Sequence, residues 1–248
     1  MATKTVILCG GEGRRLRPLT NYFQKTMVPI GPRKRPLLEY VVRLLVHHKL
    51  RDITMLTGYR AEEIENYFDD GSRFGARINY SRDPGQTVGS GGALAYAISK
   101  GKLTYFDDIL VYYGDILSNI NPTEIVRAHR SAKAGATLVL SKGYTLPVGV
   151  ATVENGSVTA FAEKPTYDID VTTGNMVINK KTIPILMKLT RKAPQVDLMK
   201  NFIPALFERE IKVASYYLKD FWYDVGTVEK YLGLEDKAVE KHLGFLNH

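Results

Sequence analysis

The sequence predicts an α/β fold, a mostly parallel but mixed sheet with helices covering both faces. Three observations carry this. Short apolar runs of strand length alternate with stretches of helical periodicity through the first half of the chain. A hairpin signal and further strand-like runs in the second half make the sheet mixed. The chain has 248 residues, 44% hydrophobic and 24% charged, which suits one sizeable globular domain without low-complexity or repeated segments.

The elements follow in order. Residues 5–9 read as the first strand, and a glycine-rich turn comes straight after it. Leu37, Leu38, Val41, Val42, Leu44 and Leu45 recur at helical spacing within residues 36–50. Residues 53–57 form a second strand and 61–68 a short helix. A third strand over 78–81, a helix over 91–99 and a fourth strand over 109–113 continue the alternation. A helix over 122–134 and a strand over 137–142 follow, and strands separated by such helices pair in parallel. Residues 148–154 and 157–162 then alternate about Asn155-Gly156, the dipeptide of a tight hairpin. Residues 173–179 read as a strand, 181–188 and 195–209 as helices, 211–217 as a strand and 228–243 as a terminal helix. No Pro- or Ser-rich linker interrupts residues 1–248, so they read as a single domain.

Composition narrows the class. Apolar stretches such as Asp108-Ile109-Leu110-Val111-Tyr112-Tyr113 are far too short to span a bilayer. A strand-like run begins by Lys4, leaving no room for a cleaved leader. The single cysteine, Cys9, allows no intrachain disulfide and fits a reducing, cytoplasmic setting. It reads as a small buried hydrophobe. The net charge of +8 raises nucleic-acid binding as a reading. However, the basic residues are interleaved with acids, and the RNA-binding pattern of aromatics among basic residues is missing. The same sign of charge serves a groove for small polyanions. The five histidines, His47, His48, His129, His242 and His248, match no metal spacing or triad and read as surface residues.

The turn after the first strand is Gly10-Gly11-Glu12-Gly13-Arg14-Arg15-Leu16-Arg17-Pro18-Leu19-Thr20. Glycines there let the backbone approach a phosphate or base and expose N–H donors, although a purely structural turn reads equally well. It lacks the Gly-Lys-Ser/Thr of a Walker loop and the third glycine of a dinucleotide fingerprint. The arginines favour a polyanion, whose oxygens a guanidinium chelates in pairs.

With the preceding Leu8-Cys9 and the downstream Gln24-Lys25-Thr26-Met27-Val28-Pro29-Ile30-Gly31, this turn resembles the signature of the sugar-1-phosphate nucleotidyltransferases. That family shows L-A-G-G-x-G-T-R-L-x-P-L-T and then P-K-P-M-V-P-I. The resemblance implies a Rossmann-like three-layer α/β/α nucleotidyltransferase fold. It also implies transfer of a nucleoside monophosphate from a nucleoside triphosphate to a sugar 1-phosphate, with Mg²⁺, releasing pyrophosphate. It places Leu8, Gly10, Gly11, Gly13, Arg14, Asp83, Gly89 and Ser90 around the nucleotide, and Arg15 and Lys25 on the triphosphate and departing pyrophosphate. Two departures stand out. Arg14 replaces the usual threonine, where it either tightens the triphosphate or sits in solvent. Gln24 replaces the usual proline, which predicts a looser loop.

The likeness runs over most of the chain. Gly58-Tyr59-Arg60-Ala61-Glu62-Glu63-Ile64 and Phe68-Asp69-Asp70-Gly71-Ser72-Arg73-Phe74-Gly75 are similar to scaffold segments of the family. Asp83-Pro84-Gly85-Gln86-Thr87-Val88-Gly89-Ser90-Gly91-Gly92-Ala93 resembles the stretch that caps the base. A carboxylate only accepts hydrogen bonds, so Asp83 suits guanine, rich in N–H donors; a turn-former before Pro84 is the alternative. Tyr112-Tyr113-Gly114-Asp115 and Phe221-Trp222-Tyr223-Asp224-Val225-Gly226-Thr227 resemble the two metal-binding segments. Asp115 and Asp224 would then be Mg²⁺ ligands, though each also reads as a turn or cap residue. Phe161-Ala162-Glu163-Lys164-Pro165 resembles F-x-E-K-P, with Glu163 on sugar hydroxyls and Lys164 on the sugar phosphate. Gly149 in Pro147-Val148-Gly149-Val150-Ala151, and Thr173 and Gly174 in a partial match to N-A-G-I-Y, would line the sugar.

The resemblance thus divides the domain into a nucleotide-binding half and an acceptor-binding half. Arg15, Lys25, Asp115 and Lys164 carry the chemistry, with Asp115 and Asp224 on the metal. The substrate pair expected first is GTP with mannose 1-phosphate, followed by glucose 1-phosphate with UTP, dTTP or CTP. The residues implicated in transfer are present together, which weighs against a non-catalytic nucleotide-sugar sensor on the same fold. Neither nucleic acid nor membrane is expected as a partner, and a homo-oligomer stays open. The chain ends soon after the Asp224 segment, so no C-terminal β-helix domain is expected.

Overall fold

The computed structural model describes residues 1–84, 88–219 and 221–247. β1 (Thr3–Leu8) sends the fully buried Val6 and Ile7 to opposite faces, as the two-residue period of a strand requires. A ribbon of β2 (Pro29–Ile30) and β3 (Arg35–Pro36) leads into α1 (Leu37–His47), whose six periodic apolar residues are all buried. β4 (Asp52–Thr57), α2 (Ala61–Phe68), β5 (Arg77–Arg82), α3 (Gly89–Ser99) and β6 (Asp108–Tyr113) continue the alternation. The short β7 (Ile116–Ser118) precedes α4 (Pro122–Ala132). The Asn121 side chain caps α4 by accepting the Thr123 N–H at 3.1 Å, with Pro122 in the first turn.

β8 (Ala136–Thr145) and β11 (Thr166–Asn179) enclose the hairpin of β9 (Val150–Glu154) and β10 (Ser157–Ala162). Asn155 and Gly156 both have positive φ, 49° and 80°, so the turn is of the kind the dipeptide predicts. α5 (Ile183–Lys192), α6 (Ile203–Phe207), β12 (Val213–Tyr217), β13 (Trp222–Asp224), α7 (Val228–Gly233) and α8 (Asp236–Leu243) complete the chain.

Seven strands form the central sheet in the order β12-β8-β11-β6-β1-β4-β5. β1 pairs in parallel with β4 and β6, as do β4 with β5 and β8 with β12. β11 is antiparallel to both its neighbours, so the sheet is mixed and mostly parallel. One buried cluster joins Ile7, Met55 and Leu110 to α1, α2, α4 and α8. The other joins Val6, Leu56 and Val111 to α3, α5 and α6. These are the three layers. Among the described residues no helix is long and apolar enough to cross a membrane.

Three expectations need correction. The helix expected over residues 195–209 is interrupted. Asp197 accepts the N–H groups of Met199 and Lys200, both at 2.8 Å, and starts a π-helical turn over Leu198–Phe202 before α6. The terminal helix is two helices, separated at Leu234 and Glu235 just after Gly233, a residue of low helix propensity. His129 is buried rather than at the surface: Nδ1 lies 2.8 Å from Thr137 Oγ1, and Nε2 lies 3.4 Å from Asp108 Oδ1. Its apolar neighbours on α4 carry it into the core, and burial lowers its pKa.

Candidate active site

A cleft of about 250 Å³ opens at the carboxyl ends of β1, β4 and β6, where ligands gather in open α/β sheets. Leu8, Gly10 and Gly11 form one wall, Asp83, Gly89 and Ser90 another, and Lys25 with Asp115 the floor. Cys9 also lines it. Its thiol lies 3.3 Å from the Leu56 carbonyl, and burial pushes its pKa far up, so it packs as the small hydrophobe the sequence predicts.

The glycine-rich turn is shaped by close approaches. A side chain on Gly10 would meet the Gly58 nitrogen at 3.1 Å. Gly13 has φ +64°, and a Cβ there would lie 2.8 Å from Lys25 Cβ, so its absence lets Lys25 rest against the turn. Among the described residues, the backbone N–H groups of Gly10 through Arg15 donate to nothing within the protein. A run of unspent N–H groups is a concavity for anions. Arg15 is exposed beside it, without a partner among the described residues, and is not part of the cleft wall. Arg14 is exposed too, and its Nε donates to Glu12 at 2.6 Å.

Gln24 overturns the expectation of a looser loop. It is fully buried, and its Nε2 donates to the Cys9 carbonyl at 2.6 Å and lies 3.5 Å from that of Gly11. Its Oε1 accepts from the Thr26 N–H and hydroxyl at 2.6 and 2.7 Å, and its own N–H donates to Glu63 Oε2 at 2.6 Å. The residue therefore ties the turn to the Lys25 segment.

Asp83 follows β5, and its N–H is fixed to the Thr57 carbonyl at 2.9 Å. Its carboxylate has no hydrogen-bond partner among the described residues, and burial raises its pKa to about 6. The neighbouring Gly85, Gln86 and Thr87, expected to help cap the base, lie outside the described residues. Gly89 opens α3 with φ +75°; a Cβ there would lie 2.4 Å from the Val196 carbonyl. That carbonyl also accepts the Gly91 and Gly92 N–H groups, leaving the helix start partly satisfied from within. The Ser90 hydroxyl is likewise committed, donating to Asp197 at 3.0 Å and accepting the Leu198 N–H at 2.9 Å.

Asp115 follows Gly114, whose N–H bonds the Leu8 carbonyl at 2.9 Å, and it forms an ion pair with Lys25. Asp224 on β13 stands opposite Ile116 on β7, one residue from Asp115, and accepts from Lys230 Nζ at 2.9 Å. The Val225 N–H donates to the Asp115 carbonyl at 3.0 Å, closing the two segments together. No group of three or more His, Cys, Asp or Glu among the described residues forms a self-sufficient metal cage. Two carboxylates, one in the turn before β7 and one on β13, each balanced by one lysine, fit a hard divalent cation that takes its remaining oxygens from phosphate and water.

The acceptor residues sit apart. Gly149, Glu163 and Lys164 lie on the β9–β10 arm and none lines the cleft. Gly149 and Glu163 share a face: a Cβ on Gly149 would meet Phe161 Cζ at 2.4 Å and Glu163 Oε2 at 3.0 Å. Phe161 on that face is 67% exposed. The Thr173 side chain turns inward, its hydroxyl donating to the Val139 carbonyl at 3.2 Å, so it is not offered to a sugar. Gly174 lies against the Tyr113 ring, which lines the cleft. Tyr113, Gln24 and Gln195 are cleft residues that sequence reasoning missed; only Gln24 left a signal, as a departure beside the conspicuous Lys25.

Two solved structures share this fold. A Bacillus anthracis protein solved with sucrose has a TM-score of 0.76 at 23% identity, covering 96% of this chain and 95% of that one. HddC from Yersinia pseudotuberculosis, solved with GMP-PN, has a TM-score of 0.71 at 19% identity, covering 97% and 99%. Among curated sequences, the UTP–glucose-1-phosphate uridylyltransferase of Synechocystis sp. is 30% identical, covering 92% of this chain and 61% of that protein. The mannose-1-phosphate guanylyltransferase of Mycobacterium tuberculosis is 31% identical over 92% and 62%. This chain thus spans less than two thirds of the length of those two relatives. The D-glycero-alpha-D-manno-heptose 1-phosphate guanylyltransferase of Aneurinibacillus thermoaerophilus is 29% identical and covered over 95% of its length. The family model described as nucleotidyl transferase matches residues 4–241, and the chain belongs to that family.

Proposed function

We propose that this protein transfers a nucleoside monophosphate from a nucleoside triphosphate to a sugar 1-phosphate, yielding a nucleoside-diphosphate sugar and pyrophosphate. The observation that carries the reading is the Lys25–Asp115 pair at the floor of a cleft whose glycine-rich wall leaves its N–H groups unspent. GTP and mannose 1-phosphate are the proposed pair. The support is Asp83, an acceptor in the cleft with no partner among the described residues and suited to the ring N–H and amino group of guanine, together with guanylyltransferases among the relatives. Relatives named for uridylyl and cytidylyl transfer make glucose 1-phosphate with UTP or CTP the alternative.

The reaction joins a sugar-phosphate oxygen to the α-phosphorus as the bond from that phosphorus to pyrophosphate breaks. A phosphate monoester is largely dianionic at neutral pH, so the nucleophile needs little help from a base. What remains is positioning and charge. The loop N–H groups and Lys25 take the triphosphate, and Arg15 stands at the rim for the departing pyrophosphate. Lys164 and Glu163 grip the acceptor, which requires the arm and cleft to come together around it. Asp115 and Asp224 would hold Mg²⁺, which when bound supplies positive charge to the phosphate oxygens. The single buried cysteine supports a cytoplasmic setting.

Pyrophosphate release should be measured across a grid of nucleoside triphosphates and sugar 1-phosphates, with Asp115→Asn as the control. Release with GTP and mannose 1-phosphate, lost in the variant, is the expected result. Release only with UTP or CTP replaces the substrate pair, and a blank grid from folded protein overturns the reading.

A further inference from the structure

The most densely bonded polar side chain near the cleft belongs to a residue with no place in the chemistry above. Gln24 is fully buried, yet both ends of its amide and its backbone N–H are bonded. These bonds reach three segments: the start of the glycine-rich turn through Cys9, the Lys25 segment through Thr26, and α2 through Glu63. We propose that Gln24 is a positioning residue for phosphate binding, one that aims the N–H groups of the glycine-rich turn and holds Lys25 in register with them. This rests on the nucleotidyl-transfer reading of the cleft.

The reasoning is stereochemical. In a trans peptide the C=O and the N–H point in opposite directions. Gln24 Nε2 holds the Cys9 carbonyl at 2.6 Å, so the Gly10 N–H of the same peptide points away from Gln24, in a turn whose Gly10 lines the cleft. The Gly11 carbonyl, 3.5 Å from the same nitrogen, sets the Glu12 N–H similarly. The opposite end of the amide fixes Thr26, next to the lysine that pairs with Asp115. The proline that the family usually carries here has neither an amide nor an N–H. Glu63, which is also paired with Arg60, accepts that N–H at 2.6 Å, so α2 of this chain is matched to a non-proline residue.

The test separates aim from mere stability. Inorganic tripolyphosphate is the probe, because it reports the phosphate cradle without a base, and its affinity is measured by calorimetry for wild type, Gln24→Leu and Gln24→Glu. Gln24→Leu should weaken tripolyphosphate about tenfold or more, the loss expected when buried carbonyls lose a donor, while the KM for sugar 1-phosphate stays unchanged. Gln24→Glu adds a readout that a structural role would not move. Glu63 faces the position from α2, with Lys25 and Cys9 flanking it, so a second carboxylate there is pushed towards protonation. Once protonated it can donate to the Cys9 carbonyl as the amide does. Its affinity relative to wild type should therefore recover between about pH 8 and about pH 5, while that of Gln24→Leu stays low throughout. Wild-type affinity in Gln24→Leu, or a Gln24→Glu ratio flat in pH, overturns the proposal. Wild-type protein that binds tripolyphosphate but transfers to no sugar 1-phosphate overturns the functional reading instead.

Discussion

Lys25 and Asp115, ninety residues apart in sequence, meet as an ion pair at the floor of the cleft, with only a small part of either side chain exposed. Each belongs to a segment leaving the central sheet, Lys25 beyond β1 and Asp115 beyond β6, and the adjacency of those two parallel strands brings them together. A cation and an anion paired in the resting protein form a site in which each charge can be redirected when phosphates enter.

Replacing either partner should separate chemistry from folding. Lys25→Ala and Asp115→Asn should each lower kcat/KM about 10²–10³-fold, the range for one electrostatic contact to a transition state. Each variant leaves one charge partly buried and unpaired, so Tm should fall modestly. Pyrophosphate release and thermal unfolding of the same preparations check both statements.

Asp83 gives a pH signature. Burial lifts its pKa from the usual carboxylate range to about 6, so the accepting, ionised form predominates above that pH and is lost below it. The KM for GTP should rise as pH falls through about 6, and Asp83→Asn should flatten that rise and relax the preference for guanine. Because the folded pKa exceeds the unfolded one, ionisation opposes folding. The contribution of Asp83 to stability should fall as pH climbs from about 4 to about 6 and then level off. Asp83→Asn should therefore raise Tm at neutral pH and leave it unchanged near pH 4.

Gly89 tests the cleft wall. Alanine there would force an L side chain into a positive φ with its Cβ 2.4 Å from a carbonyl oxygen, so the backbone must shift. A loss of about 1–3 kcal/mol in chemical denaturation is expected, with weaker nucleotide binding.

The arm should report on the acceptor alone. Glu163→Gln and Lys164→Ala should raise the KM for sugar 1-phosphate roughly tenfold or more while GTP binding stays as in wild type, since neither residue lines the nucleotide cleft. Equal loss of both substrates would place the arm's role elsewhere.

Much of this molecule was legible in the sequence. The strands of the first half stand out because each is an apolar run bounded by turn residues, and Asn155-Gly156 announces its hairpin because so few residues take positive φ. Gly10, Lys25, Asp83 and Asp115 converge as the motif order implies. What escaped was decided by tertiary partners. The helix expected over residues 195–209 gives way because Asp197 is claimed by Ser90 and by the N–H groups behind it. His129 goes inward with the apolar face of α4, where its Nδ1 meets Thr137 from the next strand. Gln24 looked like a lost proline; only the fold reveals the carbonyls that its amide meets.

β11 belongs to two neighbourhoods. From Met176 to Asn179 it lies between β6 and β8 in the core, whereas from Thr166 to Thr172 it pairs with β8 alone and runs out to the arm. The register slips between Thr172 and Met176, and at that slip the Asn175 side chain accepts the Tyr113 N–H at 2.8 Å. One continuous strand thus joins the exposed hairpin to the core, and Asn175 pins it at the slip to the last residue of β6, two positions before Asp115.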